Sequence, residues 1–197
     1  GGFAEEVSAD EVGIISIPEG VKHEDAGPLL CGGITVFTPI VEFDINSSHK
    51  VGIIGIGGLG HLAIQFYKAL GCHLTAFTNS SDKNELLTSL GADEIVSSTD
   101  KASIKALDAQ FDFLISTVNV KLDWNLFLNI IKPRGRLHFV GAVLDPIAVS
   151  VFSLMGGRRS ISGSPVGSPK NITKMLNFCA EHKISPLVEH FKFDDIN

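Results

Sequence analysis

Two short stretches carry residue types at spacings that could do chemistry. In GIGGLG, Gly55, Gly57 and Gly60 stand in the pattern GxGxxG. Backbone without Cβ atoms can turn sharply and let an anion close to its N–H groups. In PLLCGGITV (28–36), small and apolar residues surround Cys31, one of three cysteines in the chain. A thiol in that setting is a buried core residue, a reactive group, or one ligand of a metal.

The glycine pattern means little without its context, because 20 glycines produce chance matches. Here KVGIIGI (50–56) precedes it, a continuous apolar run suited to a buried parallel strand. GGLGHLAIQFYKALG (57–71) follows, with Leu59, Leu62, Ala63, Phe66 and Leu70 at helical intervals. In a strand–loop–helix unit Gly55 makes the tight turn, Gly57 admits a pyrophosphate and Gly60 lets the helix pack on the strand. The helix N-terminus then faces the phosphates. A glycine-rich turn that binds nothing and a methyltransferase-like loop are the alternatives. The six-residue spacing and tight helix entry favour a dinucleotide.

An NAD site usually places an acid at the end of the second strand, about 20 residues on, to hold the ribose hydroxyls. From His61 to Ser81 there is no acid. Thr78, Asn79 and Ser80 offer neutral donors at that position and Lys83 offers a cation. These groups suit an additional ribose phosphate, so NADP(H) is expected rather than NAD(H). The alternative is an ordinary polar loop capping the next helix, and Asp82 is read as part of such a cap.

The elements that must position these residues alternate. After the first unit come strands at HLTAFT (73–78), EIVSS (94–98), FDFLIST (111–117), GRLHFVG (135–141) and RSISGS (159–164). Helical runs fall at 80–92, 101–109, 122–132 and 168–183, and PLVEHFKF (186–193) reads as a final strand. This alternation predicts an α/β fold, a doubly wound parallel sheet of the Rossmann type. Residues 1–24 differ: GGFAEEVSAD and GIISIPEG read as strands of another domain. The expected organisation is a remnant or linker over 1–24 and an NADP-binding Rossmann domain over 25–197.

Charge and hydropathy exclude other classes. With 22 acids against 16 bases the net charge is -6, which disfavours nucleic acid and anionic membranes. No apolar run reaches the length of a bilayer span and no signal peptide is visible. Three cysteines without a CxxC suggest reduced thiols and a cytoplasmic location.

The segments PLLCGGITV, VGIIGIGGLGHLA, GRLHFVGAV and FSLMGGRRSISGSPVGS together resemble zinc-dependent medium-chain alcohol dehydrogenases, in particular the cinnamyl alcohol dehydrogenase-like, NADP-dependent branch. The resemblance implies hydride transfer between NADP(H) and a small alcohol or aldehyde. It implies that residues 1–24 are the remnant of a catalytic domain, that the Rossmann domain over 25–197 is truncated at its C-terminal end, and that Cys31 is one protein ligand of a catalytic zinc whose other ligands lie outside this chain. It further implies cofactor contacts at Thr35, at Gly55, Gly57, Gly58, Leu59 and Gly60, and at Thr78, Asn79, Ser80 and Lys83. The same holds for Thr117 and Val118, for Val140, Gly141 and Ala142, and for Ser164, Pro165 and Val166. Gly32 stands where the family usually has Ala. His61 is expected to pack at the helix start, and Trp124, Cys72 and Cys179 in the core. A homodimer through the cofactor domain, at PLVEHFKF, is a further expectation. The alternatives are an NADP-binding module inactive by itself and a zinc-free quinone or enone reductase.

Overall fold

A computed structural model describes residues 6–192. Six strands form one sheet: β1 Lys50–Ile54, β2 His73–Thr78, β3 Glu94–Ser97, β4 Phe111–Ser116, β5 Ile131–Phe139 and β6 Ser160–Gly163. All neighbours are parallel and the order is β3-β2-β1-β4-β5-β6. The order reverses between β1 and β4, so the connections diverge there and leave a crevice at the carboxyl ends of the strands. The ends are level: Ile54 pairs with Phe77 and Ser116, Ser116 with Phe139, and Phe139 with Gly163.

Successive side chains of a strand point opposite ways, and in the central strands β1, β2 and β4 both sets are buried, whereas β3 and β6 are only partly covered. Ile53 joins a core with Leu62, Phe66, Phe113 and Leu176, while Ile54 joins Phe77, Leu114, Phe127 and Leu137 on the other side. Helices cover both faces. α1 (His23–Pro28) carries Glu24 and Asp25 in its first turn, where the helix dipole favours acids. A π-helical turn, Leu29–Gly33, continues it into α2 (Ile34–Glu42), whose buried residues include Ile34, Phe37 and Ile40. α3 (Gly60–Ala69), α4 (Asn84–Leu90), α5 (Lys101–Lys105), α6 (Trp124–Asn129), α7 (Val151–Met155) and α8 (Pro169–His182) follow in order. Ser168 caps α8 by accepting from Asn171 N. Trp124, Cys72 and Cys179 are buried as expected.

Three sequence expectations need correction. Residues 6–20 form no strand; a short 3-10 turn at Glu11–Gly13 leads into irregular chain from which Ile15, Ile17 and Val21 pack against the core. The N-terminal part of GGFAEEVSAD lies outside the described residues. α6 ends at Asn129, and β5 begins at Ile131, before Pro133. The register with β4 shifts between Phe111 and Phe113, and this irregularity accommodates Pro133 and the left-handed Arg134.

Third, residues 186–192 form no strand; residue 193 lies outside the described residues. The backbone there is tied to side chains of α3 instead: Leu187 N donates to His61 Nε2 at 3.0 Å, and Gln65 Nε2 donates to Ser185 O at 3.0 Å. Among the described residues the sheet therefore ends at β3 and β6, and residues 186–192 add no edge strand to it.

Candidate cofactor site

The loop between β1 and α3 is shaped by contacts no side chain could share. Gly55 is left-handed (φ 88°), and a Cβ there would meet Val118 Cγ1 at 2.3 Å. A Cβ on Gly60 would sit 2.1 Å from Gly55 O. The two glycines thus let α3 start directly against the strand end. Thr117 locks the turn by donating to Gly55 O at 2.7 Å, while Gly55 N donates to Phe77 O at 2.9 Å. Gly57 and Gly58 are the opposite case: nothing lies within 4 Å of a Cβ on either. Their backbone borders open space, as an approaching ligand requires.

That space is a cleft of about 850 Å³ over the switch point. Gly57, Gly58 and Leu59 form one side and Thr117, Val140, Gly141 and Ala142 another. Cys31 and Thr35 close it from the helical layer. The π turn leaves Cys31 exposed to the cleft, so the reading of a buried core cysteine is overturned. Thr35 Oγ1 donates to Cys31 O at 2.8 Å, and so braces the turn that presents the thiol. A Cβ on Gly32 would meet Leu59 and Leu62 at 3.5 Å, an ordinary contact, so alanine would fit there too.

The other expected residues divide between two smaller hollows and the surface. Thr78, Asn79 and Ser80 line a hollow of about 320 Å³ with Asn84, Ile95 and Ser97. The Ser80 hydroxyl donates to Asp82, whose carboxyl is held below its usual range first by that bond. Asp82 is therefore charged beside this hollow. Lys83 does not line it; its Nζ lies 3.4 Å from Ile56 O, beside the glycine loop. Ser164 and Pro165 line a groove of about 380 Å³ that shares Val140, Gly141 and Ala142 with the main cleft. Val118 packs behind Gly55 rather than lining the cleft. Val166 is exposed and lines neither the groove nor the cleft.

Sequence reasoning missed part of the wall. Asn119, Pro186, Leu187 and Val188 also line the cleft. His61 holds this last segment in place. Its Nδ1 is 3.1 Å from Gly57 O and its Nε2 accepts from Leu187 N, so the ring is neutral with the proton on Nδ1. Burial lowers its pKa, which supports that state. The four-residue offset from Gly57 was visible in the sequence; the partner 126 residues on was not. Among the described residues, no three His, Cys, Asp or Glu side chains come together in a way that could hold a metal ion. Cys31 is a single donor, and one thiolate does not make a zinc site.

A parallel sheet in this order, with a glycine loop opening on its crevice, defines a dinucleotide-binding fold of the Rossmann type. Comparison with known proteins makes the assignment finer. Residues 58–181 match the family model described as zinc-binding dehydrogenase, and the chain belongs to that family. It is 51% identical over 197 residues to the aldehyde reductase AdhA of Synechocystis, covering 100% of this chain and 59% of that protein. It superposes on a cinnamyl alcohol dehydrogenase of Sorghum bicolor with a TM-score of 0.85 at 34% identity, covering 89% of this chain and 50% of that one. A cinnamyl alcohol dehydrogenase of Helicobacter pylori, solved with NADP(H), gives 0.82 at 30% identity, covering 92% and 52%. The chain thus spans little more than half the length of these relatives, all alcohol or aldehyde oxidoreductases.

Proposed function

We propose that this chain is the NADP(H)-binding part of a zinc-dependent oxidoreductase that moves hydride between nicotinamide and a primary alcohol or aldehyde. The observation that carries the reading is the cleft itself: open glycine backbone and an exposed cysteine face the same space at the switch point. The N-terminus of α3, with the backbone of Gly57 and Gly58, receives the pyrophosphate. Thr117 holds that loop in shape. Val140, Gly141 and Ala142 bound the space for the nicotinamide, and the bound cofactor supplies the hydride. Cys31 is the one zinc donor offered here, so a zinc site needs ligands beyond those described, and no step through zinc follows from these residues. On its own this chain then acts as a cofactor-binding module.

The preference for NADP(H) rests on the strand end without an acid, where Thr78, Asn79 and Ser80 line the hollow, and on the cation of Lys83, which lies outside that hollow beside the glycine loop and must swing from Ile56 O to meet a ribose phosphate. Asp82 opposes it, and the adjacent Lys83 offsets that charge. The H. pylori relative, solved with NADP(H), supports the same choice. Calorimetry with NADPH and NADH tests it. NADPH is expected to bind more tightly, and Lys83→Ala to remove about a tenfold or larger share of that preference, the scale of a hydrogen bond to a charged group. Equal affinities in the unaltered chain overturn the NADP(H) assignment.

Three free thiols support a cytoplasmic location. No helix among the described residues is long and apolar enough to cross a membrane. A homodimer through the cofactor domain stays within the proposal, moved to the β6 edge. Leu144, Phe152 and Met155, in the connection between β5 and β6, are strongly exposed, and β6 is an open edge of the sheet, which favours pairing there over the irregular segment 186–192.

A further inference from the structure

His138 is fully buried inside β5, yet it is polar and both its nitrogens are used. Its ring packs against both Phe43 and Phe113, at centroid distances of 5.3 and 5.9 Å, in a three-ring cluster. Arg136, two residues earlier, places its guanidinium over Phe43. Nδ1 is 2.8 Å from Ser162 Oγ and Nε2 is 2.9 Å from Ser164 Oγ. Ser162 is the register partner of His138 within the sheet. Ser164 lies just past the end of β6 and lines the groove with Phe139, Val140 and Gly141. Its backbone is held as well, since Ser164 N donates to Phe139 O at 3.2 Å.

An apolar residue would fill this core position without the cost of burying two polar atoms. The imidazole instead spans two hydroxyls two residues apart on one face of β6, an inner anchor and an outer hydroxyl at the groove. Burial, reinforced by Arg136, lowers its pKa to about 4, so at neutral pH one nitrogen donates and the other accepts. Two arrangements satisfy the chain. When Nε2 accepts, Ser164 gives its proton to the ring and offers lone pairs to the groove. When Nε2 donates, the Ser164 proton is free to point into the groove. A primary carboxamide, with one carbonyl and one NH2 group, can use either. In a dinucleotide fold each half of the sheet binds one nucleotide. With the ribose phosphate at the ends of β2 and β3, the other nucleotide falls over β4, β5 and β6.

We propose that His138 is a positioning residue: anchored on Ser162, it sets the Ser164 hydroxyl as a hydrogen-bonding partner for the carboxamide of the nicotinamide. The inference rests on the NADP(H) reading above.

The test titrates the chain by calorimetry with NADPH and with 2'-phospho-ADP-ribose, which lacks the nicotinamide. Ser164→Ala and His138→Phe should each weaken NADPH roughly 3- to 10-fold, the scale of one neutral hydrogen bond. The truncated ligand should bind all variants alike. The double variant should be no worse than Ser164→Ala alone. His138→Gln, whose amide also has one donor end and one acceptor end, should recover most of the affinity. The 15N signals of the His138 ring should move on adding NADPH and stay fixed with the truncated ligand. Equal weakening of both ligands, additive losses, or unchanged NADPH affinity in Ser164→Ala would overturn the positioning role and leave the cofactor reading intact. Ser164→Ala sits at the groove, so it keeps the test decisive if His138→Phe fails to fold. Failure of the unaltered chain to bind NADPH would overturn both proposals.

Discussion

Gly57 and Gly60 belong to one motif, but substitution should separate them cleanly. A Cβ at position 60 would lie 2.1 Å from Gly55 O and 3.1 Å from Gly55 C. That oxygen cannot move freely, because Thr117 donates to it at 2.7 Å. Restoring an ordinary contact requires the loop and α3 to part by roughly 1 Å. Overpacking of this kind costs about 1–3 kcal/mol. Gly60 is the first residue of α3, so alanine recovers less than the ~1 kcal/mol it gains in a helix interior. Gly60→Ala should therefore lose about 2 kcal/mol, a fall in Tm of about 4–8 °C for a chain of this size. At Gly57 nothing lies within 4 Å of the added methyl, and its φ is outside the left-handed region. Gly57→Ala should keep the wild-type Tm or raise it slightly. It should nevertheless weaken NADPH about tenfold or more, since a methyl group stands where phosphate meets backbone and charge-assisted hydrogen bonds are lost. Differential scanning calorimetry and ligand titration on the same samples give both numbers. A Gly57→Ala chain that binds NADPH normally, or a Gly60→Ala chain as stable as the parent, would refute this division of roles.

Two other outcomes follow from the titratable groups. Iodoacetamide should label Cys31, which is exposed, and spare Cys72 and Cys179, which are buried with thiol pKa values of about 11 and about 12; mass spectrometry after brief labelling reads this, and NADPH in the cleft should slow the reaction. His138 titrates at about 4 when folded and near 6.5 when unfolded, so the unfolded chain binds more protons between those values. Stability should fall by on the order of 3 kcal/mol as pH drops through that window, with His61 shifted in the same direction. Urea unfolding of the parent and of His138→Phe should show the slope reduced in the variant.

The strands that build the crevice were legible because each is a short apolar run bounded by turn residues, and burial on both faces leaves no other pattern. The ends of α6 and β5 were misplaced because Pro133 reads locally as a helix stop. The structure instead places it at a register shift, where its missing N–H costs the sheet nothing. PLVEHFKF has the alternating composition of a strand. Leu187 N within it is captured by His61 and Ser185 O just before it by Gln65, and no local pattern reports partners over 100 residues away. Residues 6–20 misled for a related reason: Ile15 and Ile17 pack on the core of this domain without strand pairing, while Val7, Val12 and Ile14 stay exposed.

Residue order along the chain was enough for the alternating α/β architecture, the glycine loop and its likeness to a dehydrogenase family, because these are local and periodic. Only the folded sheet decided what the site contains. It turned Cys31 out of a helical layer into the glycine cleft, because a π turn rotates that residue away from the core. It set Lys83 beside Ile56 and apart from Thr78 and Asn79. It also placed His138, an unremarked residue within a strand, between two serines at the edge of a groove. Such contacts depend on strand register and crossover geometry, which join residues far apart in sequence and leave no spacing to read.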